Sequence, residues 1–142
     1  MNKVYFDASV IIAALLSSTG GSAKLIQFSK IKAITGITSQ TIINEIENRS
    51  VKLKKSKKEI RQFIKDSSLL VRERITSQEN KEYEDVVDKE DAHVVAGAHL
   101  TKCEYLVTLD KRDLLRPDIQ EKFLPLRIVS PKELLEELVD RE

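Results

Sequence analysis

One cysteine and two histidines are all that this 142-residue chain offers to zinc or to a disulfide. A single cysteine, Cys103, excludes an internal disulfide framework and points to a reducing compartment, with Cys103 itself expected as a small buried hydrophobe. No His or Cys cluster has the spacing of a zinc site. No apolar stretch approaches the ~18 residues of a membrane-crossing helix, so no membrane contact is expected. An excess of charge is missing too: the formal net charge is +1. Nothing therefore draws the whole molecule towards nucleic acid, and any basic footprint has to be local. With no internal repeat and no linker, residues 1–142 are expected to form a single domain, large enough for a real core. Strand-like sequence begins almost at the first residue, so no cleaved signal peptide is expected and the cytoplasm is the expected location.

What the chain does have is 41% hydrophobic and 33% charged residues, the balance of a soluble globular protein with a well-solvated surface. The apolar, β-prone run Lys3-Val4-Tyr5-Phe6 comes first, Asp7 follows where a strand should end, and Ile11, Ile12, Leu15 and Leu16 then recur at helical spacing. That pattern predicts a buried parallel strand that delivers a carboxylate to the edge of a sheet and turns into a helix. The alternation continues. A helix capped by Ser22 is followed by a strand over residues 33–38, then a helix capped by Ser39 and carrying Ile42, Ile43, Glu45 and Ile46. A polar helical stretch runs to about Asp66, and a charged edge strand over 69–75 follows. Residues 77–87 read equally as helix or loop. Asp88-Lys89-Glu90-Asp91 opens a helix of small residues from Ala92, a fourth strand over 105–108 ends at Leu109-Asp110, and residues 111–115 form a short turn broken by Pro117. A fifth strand covers 126–129, and Ser130-Pro131 caps a last helix. Strand alternating with helix predicts an α/β fold with a parallel sheet covered on both faces.

Parallel strands present their carboxyl ends to one side, and neighbouring strands lie only about 4.8 Å apart. Asp7 and Asp110 both fall at such ends. Asp91 opens a helix that runs opposite to the strands, so its start must lie above the same edge, and Asp91 shares a helical face with Val95 and Ala98. Glu45 sits beside Ile42 and Ile46 on the helix leaving the second strand, although helix geometry alone does not carry it to the edge. Carboxylates that converge in a half-buried crevice raise one another's pKa, and a divalent cation relieves the conflict. Oxygen-only ligation suits Mg²⁺ or Mn²⁺. Such an ion acidifies water and neutralises phosphoryl charge, so the expected reaction is metal-dependent hydrolysis of a phosphodiester without a covalent enzyme intermediate.

These four acids and their flanks resemble the PIN domain, in particular the PIN-family toxins of bacterial and archaeal toxin–antitoxin pairs. The resemblance is carried by Val4-Tyr5-Phe6-Asp7-Ala8-Ser9-Val10, by Thr38-Ser39-Gln40 leading to Glu45, and by Asp88-Lys89-Glu90-Asp91 with its small-residue helix. It continues through Tyr105-Leu106-Val107-Thr108-Leu109-Asp110-Lys111-Arg112-Asp113 and closes with Ile128-Val129-Ser130-Pro131-Lys132-Glu133-Leu134-Leu135. No single piece is specific; the ordered set is. The resemblance implies a three-layer α/β/α fold with a central five-stranded parallel sheet of order 3-2-1-4-5, and a Mg²⁺- or Mn²⁺-dependent ribonuclease. It matches Asp7, Glu45, Asp91 and Asp110 to the catalytic acidic quartet, with Asp7, Asp91 and Asp110 as metal ligands. Ser9 and Thr108 match its hydroxyl positions and Asp113 an additional acid, all three in supporting roles around those ligands. An RNA substrate, a small antitoxin partner and a homodimer are implied as well. Ala8 and Leu109 depart from the commonest forms of the motifs, and neither removes a ligand.

Each residue has an ordinary alternative. Asp7 can be a helix cap, Asp88 and Asp91 a capping pair, and Asp110 and Asp113 turn residues. Glu45 can pair with Arg49 one turn on. His93, turned away from Asp91's helical face, and His99 read as structural. Ser9 and Thr108 lack a base that would make them nucleophiles, and orient a carboxylate or a water instead. The run Lys52, Lys54, Lys55, Lys57, Lys58 and Arg61 is either a solvated face or an RNA phosphate-contacting patch beside the crevice. Ribonuclease action in general RNA processing and a catalytically silent binding module of the same fold are the competing functions. A phosphoacceptor receiver domain lacks its acidic pair at Asn2-Lys3, and a haloacid-dehalogenase-type phosphatase lacks an acid at Ser9.

Overall fold

The computed structural model describes residues 2–140. Its strands are β1 (Lys3–Phe6), β2 (Thr35–Ser39), β3 (Leu70–Arg72), β4 (Tyr105–Val107) and β5 (Arg127–Val129). Helices α1 (Ala8–Leu16) and α2 (Gly21–Lys30) link the first two strands; α3 (Gln40–Asn48), α4 (Ser50–Leu53) and α5 (Lys57–Asp66) link the next two. Helices α6 (Ser77–Asn80) and α7 (Ala92–Leu100) precede β4, α8 (Pro117–Lys122) precedes β5, and α9 (Pro131–Asp140) follows it.

The strands pair in the order β3-β2-β1-β4-β5, and every pairing is parallel. The first three strands step to one side and the last two to the other. Right-handed crossovers therefore place α1 to α5 on one face of the sheet and α6 to α8 on the opposite face, while α9 returns to pack on α2. The result is the expected three-layer α/β/α architecture. Because both faces are covered, the central strands carry apolar residues on both sides: Val4, Tyr5, Phe6, Leu106 and Val107 are fully buried. The chain reverses its stepping direction between β1 and β4, and their register joins Val4 to Tyr105 and Phe6 to Val107. A crevice opens at such a switch point, at the carboxyl ends of the strands.

Helix α7 lies close against this central pair because it carries little side-chain bulk. Gly97 is the tightest point: a Cβ there would stand 2.1 Å from the Tyr5 hydroxyl oxygen and 2.4 Å from Cζ of the same ring. Tyr5 is wholly buried and has nowhere to retreat.

Several boundaries differ from the sequence reading. Helix α2 starts from Gly20, whose φ of 95° only glycine adopts easily, so Ser22 is a buried residue inside the helix rather than its cap. The polar helical stretch is interrupted. Lys54 takes a left-handed conformation (φ 58°) and ends α4, and Ser56 then opens α5 through a reciprocal capping box with Glu59. The third strand is only Leu70–Arg72, because the chain beyond it leaves the sheet: the Ile75 N–H bonds to the Thr41 hydroxyl, and Arg72 grips Glu79 with two hydrogen bonds of 3.0 and 2.7 Å. The ambiguous 77–87 segment begins with the short helix α6, capped by Thr76 and Glu79, and continues as turns. Pro117 does not only break a turn; it occupies the first position of α8, where its missing N–H costs nothing.

Alanine normally stabilises a helix interior relative to glycine by about 1 kcal/mol. Gly97→Ala should reverse that sign and destabilise the fold by about 1–3 kcal/mol, as overpacking against an immobile ring does. Urea unfolding checks it; an increase in midpoint would show that the Tyr5 ring yields.

Candidate active site

Strand β1 ends at Phe6 because the next carboxylate turns back to cap α1. Asp7 Oδ1 accepts the Ala8 N–H at 2.7 Å. Its other oxygen accepts the Thr108 hydroxyl at 2.7 Å and, more loosely, the Ser9 hydroxyl at 3.3 Å. Both hydroxyls accept in turn from the loop beyond β4, Thr108 from the Asp110 N–H and Ser9 from the Leu109 N–H, each at 3.1 Å. Asp7 is thus a cap and a buried member of the site at once, and two hydroxyls stitch the ends of β1 and β4 together around it.

Past β4 the chain doubles back. Asp110 accepts the Asp113 N–H on its carboxylate at 3.1 Å and the Leu115 N–H on its carbonyl at 2.9 Å, an Asx-type turn that swings Asp113 round towards Asp110. From the other direction comes Asp91, the last residue of a 3₁₀ turn over Lys89–Asp91 that Asp88 caps through the Glu90 N–H at 3.2 Å. Asp91, Asp110 and Asp113 each present a carboxylate oxygen, and all three oxygens lie within 4.8 Å of one another. All three residues are half-buried. Asp113 therefore stands inside the cluster beside Asp91 and Asp110, while Asp7 stands against it, near enough to act on Asp91.

The electrostatics follow from the crowding. Burial first, then the charges of Asp110, Asp7, Asp113 and Asp88, push the Asp91 carboxyl up to about 7. Burial likewise raises the pKa of Asp7, opposed by the hydrogen bonds from Thr108 and Ala8 and reinforced by Glu45. Among the described residues, no lysine or arginine is ion-paired with Asp91, Asp110 or Asp113. Three hard oxygen donors in one small volume fit a divalent cation of the Mg²⁺ or Mn²⁺ kind and not a soft one.

Next to this cluster a cavity of about 480 Å³ is lined by Asp7, Glu45, Asn48, Arg49, Glu90, Asp91, His93 and Val94. Glu45 reaches it from α3 and lies against His93 Nε2, an ion pair when His93 is protonated; among the described residues it pairs with no arginine. His93 is more than nine-tenths buried and its Nδ1 has no hydrogen-bond partner. Asp91 closes the 3₁₀ turn and occupies the N-cap position of α7. His93, expected to turn away from Asp91's face, lines the same cavity as Asp91. Asn48 and Arg49 were likewise missed as cavity residues.

His99 lies away from the acids and bonds the Tyr83 hydroxyl at 2.9 Å. The basic run follows directly on α3. Lys52, Lys54, Lys57 and Lys58 are exposed and Lys55 half-buried, whereas Arg61 is ion-paired to the buried Glu47 of α3. Among the described residues no single helix is long and apolar enough to cross a membrane.

A model of the PIN domain family matches residues 3–112. Among solved structures the chain is similar to PAE2754 from Pyrobaculum aerophilum, with a TM-score of 0.64, 18% identity, and 98% of this chain and 96% of that one covered. It is also similar to a chain of a toxin–antitoxin complex from Klebsiella pneumoniae (TM-score 0.59, 19% identity, 90% and 97% covered). A third likeness is to Mycobacterium tuberculosis VapC20, a sarcin–ricin loop cleaving toxin (0.55, 12%, 77% and 91%). At these identities the likeness is one of fold. No curated protein gives a significant match.

The raised Asp91 pKa makes stability depend on pH. Its folded value of about 7 exceeds the ordinary 3.8, so between those limits the folded state holds a proton the unfolded chain has released. Stability therefore falls as pH rises through that window. In chelator-treated protein at pH 8, Asp91→Asn should raise stability by about 1–2 kcal/mol after allowance for solvent screening, or Tm by about 3–8 °C. At pH 4 the two proteins should melt together. MgCl₂ should raise the Tm of the wild type more than that of Asp91→Asn at pH 8; thermal melts at both pH values check all three.

Proposed function

The chain belongs to the PIN domain family, and from that footing we propose that it is a Mg²⁺- or Mn²⁺-dependent endoribonuclease, the toxin of a pair held in check by a small cognate antitoxin. The observation that carries the chemistry is the convergence of Asp91, Asp110 and Asp113 within 4.8 Å at the switch point of a parallel sheet, backed by Asp7. The toxin reading draws support from the fold shared with a toxin–antitoxin complex and with a sarcin–ricin loop cleaving toxin.

Asp91, Asp110 and Asp113 would hold the cation with Asp7 against them, and the ion when bound supplies acidification of a water and neutralisation of phosphoryl charge. The chain's own groups do the rest. Thr108 and Ser9 donate to Asp7 and accept from backbone N–H groups, so their protons are committed to fixing a carboxylate and the proposed reaction uses neither as a nucleophile. His93 holds Glu45 at the cavity wall, where its carboxylate can accept a proton from the attacking water. Lys52, Lys54, Lys55, Lys57 and Lys58 supply positive charge for the RNA backbone, and Arg61 ties α5 to α3 through Glu47.

Cleavage of single-stranded RNA should require Mg²⁺ or Mn²⁺, stop in EDTA, and fall by at least about 100-fold in Asp7→Asn and Asp110→Asn, the size of a lost electrostatic contribution at a reacting centre. Equal cleavage by wild type and variants, or cleavage that persists in EDTA, would remove the mechanism. Reversing Lys54, Lys55 and Lys58 to glutamate should weaken RNA binding and flatten its salt dependence. An unchanged slope would make the run an ordinary solvated face.

A further inference from the structure

A site that hydrolyses RNA has a difficulty of its own making, since its carboxylates repel the phosphates they must receive. The cavity beside the acid cluster is lined by Asp7, Glu45, Glu90 and Asp91, and an RNA backbone entering it needs a cation fixed on the wall. Arg49 is the one permanently charged cation among the cavity's lining residues. Resting on the ribonuclease reading above, we propose that Arg49 is a phosphate clamp that admits single-stranded RNA to the cavity, positioning the nucleotide beside the one that is cleaved.

Three observations carry this. First, the carboxylates nearest to Arg49 on its own helix are already taken. Glu45, one turn earlier and the expected partner, lies against His93 Nε2 from α7, an ion pair when His93 is protonated, and Glu47 is ion-paired with Arg61 from α5. Among the described residues no carboxylate pairs with Arg49, and its side chain is left exposed at the cavity. Second, its backbone is anchored on both sides. Its N–H bonds the Ile46 carbonyl at 3.0 Å, and its carbonyl accepts the Leu53 N–H at 2.9 Å, so the guanidinium projects from a fixed junction of α3 and α4. Third, the exposed lysines at 52, 54, 57 and 58 follow Arg49 directly along the chain. A phosphate backbone gripped at Arg49 therefore has further exposed cations close by along the chain. Guanidinium suits this task because its planar fork meets phosphate oxygens two at a time. Asn48, beside it on the same wall, offers donor and acceptor atoms to a base edge or a ribose 2′-hydroxyl.

The test is fluorescence anisotropy with a short labelled single-stranded RNA of mixed sequence, titrated in EDTA so that binding is read without cleavage, and repeated across a salt series. Arg49→Gln should weaken binding about tenfold, the size of one charge-assisted contact. It should also flatten the plot of log K against log salt by about 0.7, one phosphate's share for a single strand. Arg49→Lys should recover much of the affinity. Lys24→Gln, on the exposed side of α2, should change neither quantity, and the melting temperatures of all three variants should match the wild type. In Mg²⁺, Arg49→Gln should raise KM with kcat held within about twofold, as expected of a positioning residue.

Wild-type binding and slope in Arg49→Gln would overturn the proposal, as would an equal loss in Lys24→Gln, which would reduce the effect to net charge. The two readings fail separately. Normal binding by Arg49→Gln beside a cleavage-dead Asp110→Asn sinks the clamp alone. Arg49-dependent binding by a wild type that cleaves nothing sinks the ribonuclease and leaves the clamp. A wild type that binds no RNA sinks both.

Discussion

The pairing of β1 with β4 is the constraint on which the rest depends. These two strands lie side by side where the sheet changes direction, and their register sets Phe6 against Val107. Asp7, Asp110 and Asp113 are hung from their carboxyl ends, and Asp91 stands at the start of the helix packed across them. Thr108 completes the joint: its N–H continues the ladder to the Val129 carbonyl, and its hydroxyl links Asp7 to the Asp110 backbone. A shift of one residue in this register would turn every side chain of the strand to the other face and scatter the acids.

Crowding like charges at one edge is unfavourable, and the fold confines that cost. The acids that remain uncompensated are Asp91, Asp110 and Asp113, and burial together with repulsion from Asp110, Asp7 and Asp113 raises the pKa of Asp91. The carboxylates of α3, by contrast, are each drawn to a different layer. Glu45 meets a histidine on the helix across the crevice, and Glu47 meets an arginine on the helix behind. One helix thus presents a carboxylate to the site and another to its own scaffold, two residues apart. The difference arises because α3 runs between α5 and the start of α7, with each acid facing its own neighbour.

Much of this was legible in the sequence, and the parts that were not share a cause. Strand ends are marked by a change from β-branched and aromatic residues to a single acid, so Asp7 and Asp110 were placed at the edge from pattern alone, and Asp91 followed from the direction of its helix. Ser39 was read as a cap and is one. The strand order came from the resemblance, because the alternation of strand and helix does not fix which strands are neighbours. What escaped was local backbone geometry without a residue signature. The 3₁₀ turn at Lys89–Asp91 and the left-handed Lys54 that divides α4 from α5 are adopted by residues that neither require nor advertise them. The ion pairs of Glu45 and Glu47 join segments far apart in the chain, which no periodicity reports.

The close seating of α7 on Tyr5 has a wider consequence than the fit of one glycine. That helix carries Asp91 at its leading end, so its height above the sheet decides how far the carboxylate stands from Asp110. Ala92, Ala96, Gly97 and Ala98 are all buried, and at Gly97 the helix backbone rests directly on the Tyr5 ring. Bulk added at Gly97 would press on that ring, lift the helix and widen the gap between the acids, even with every acid in place. Side chains that touch no substrate therefore gauge the aperture of the site, and small residues there are a dimensional tolerance for its chemistry.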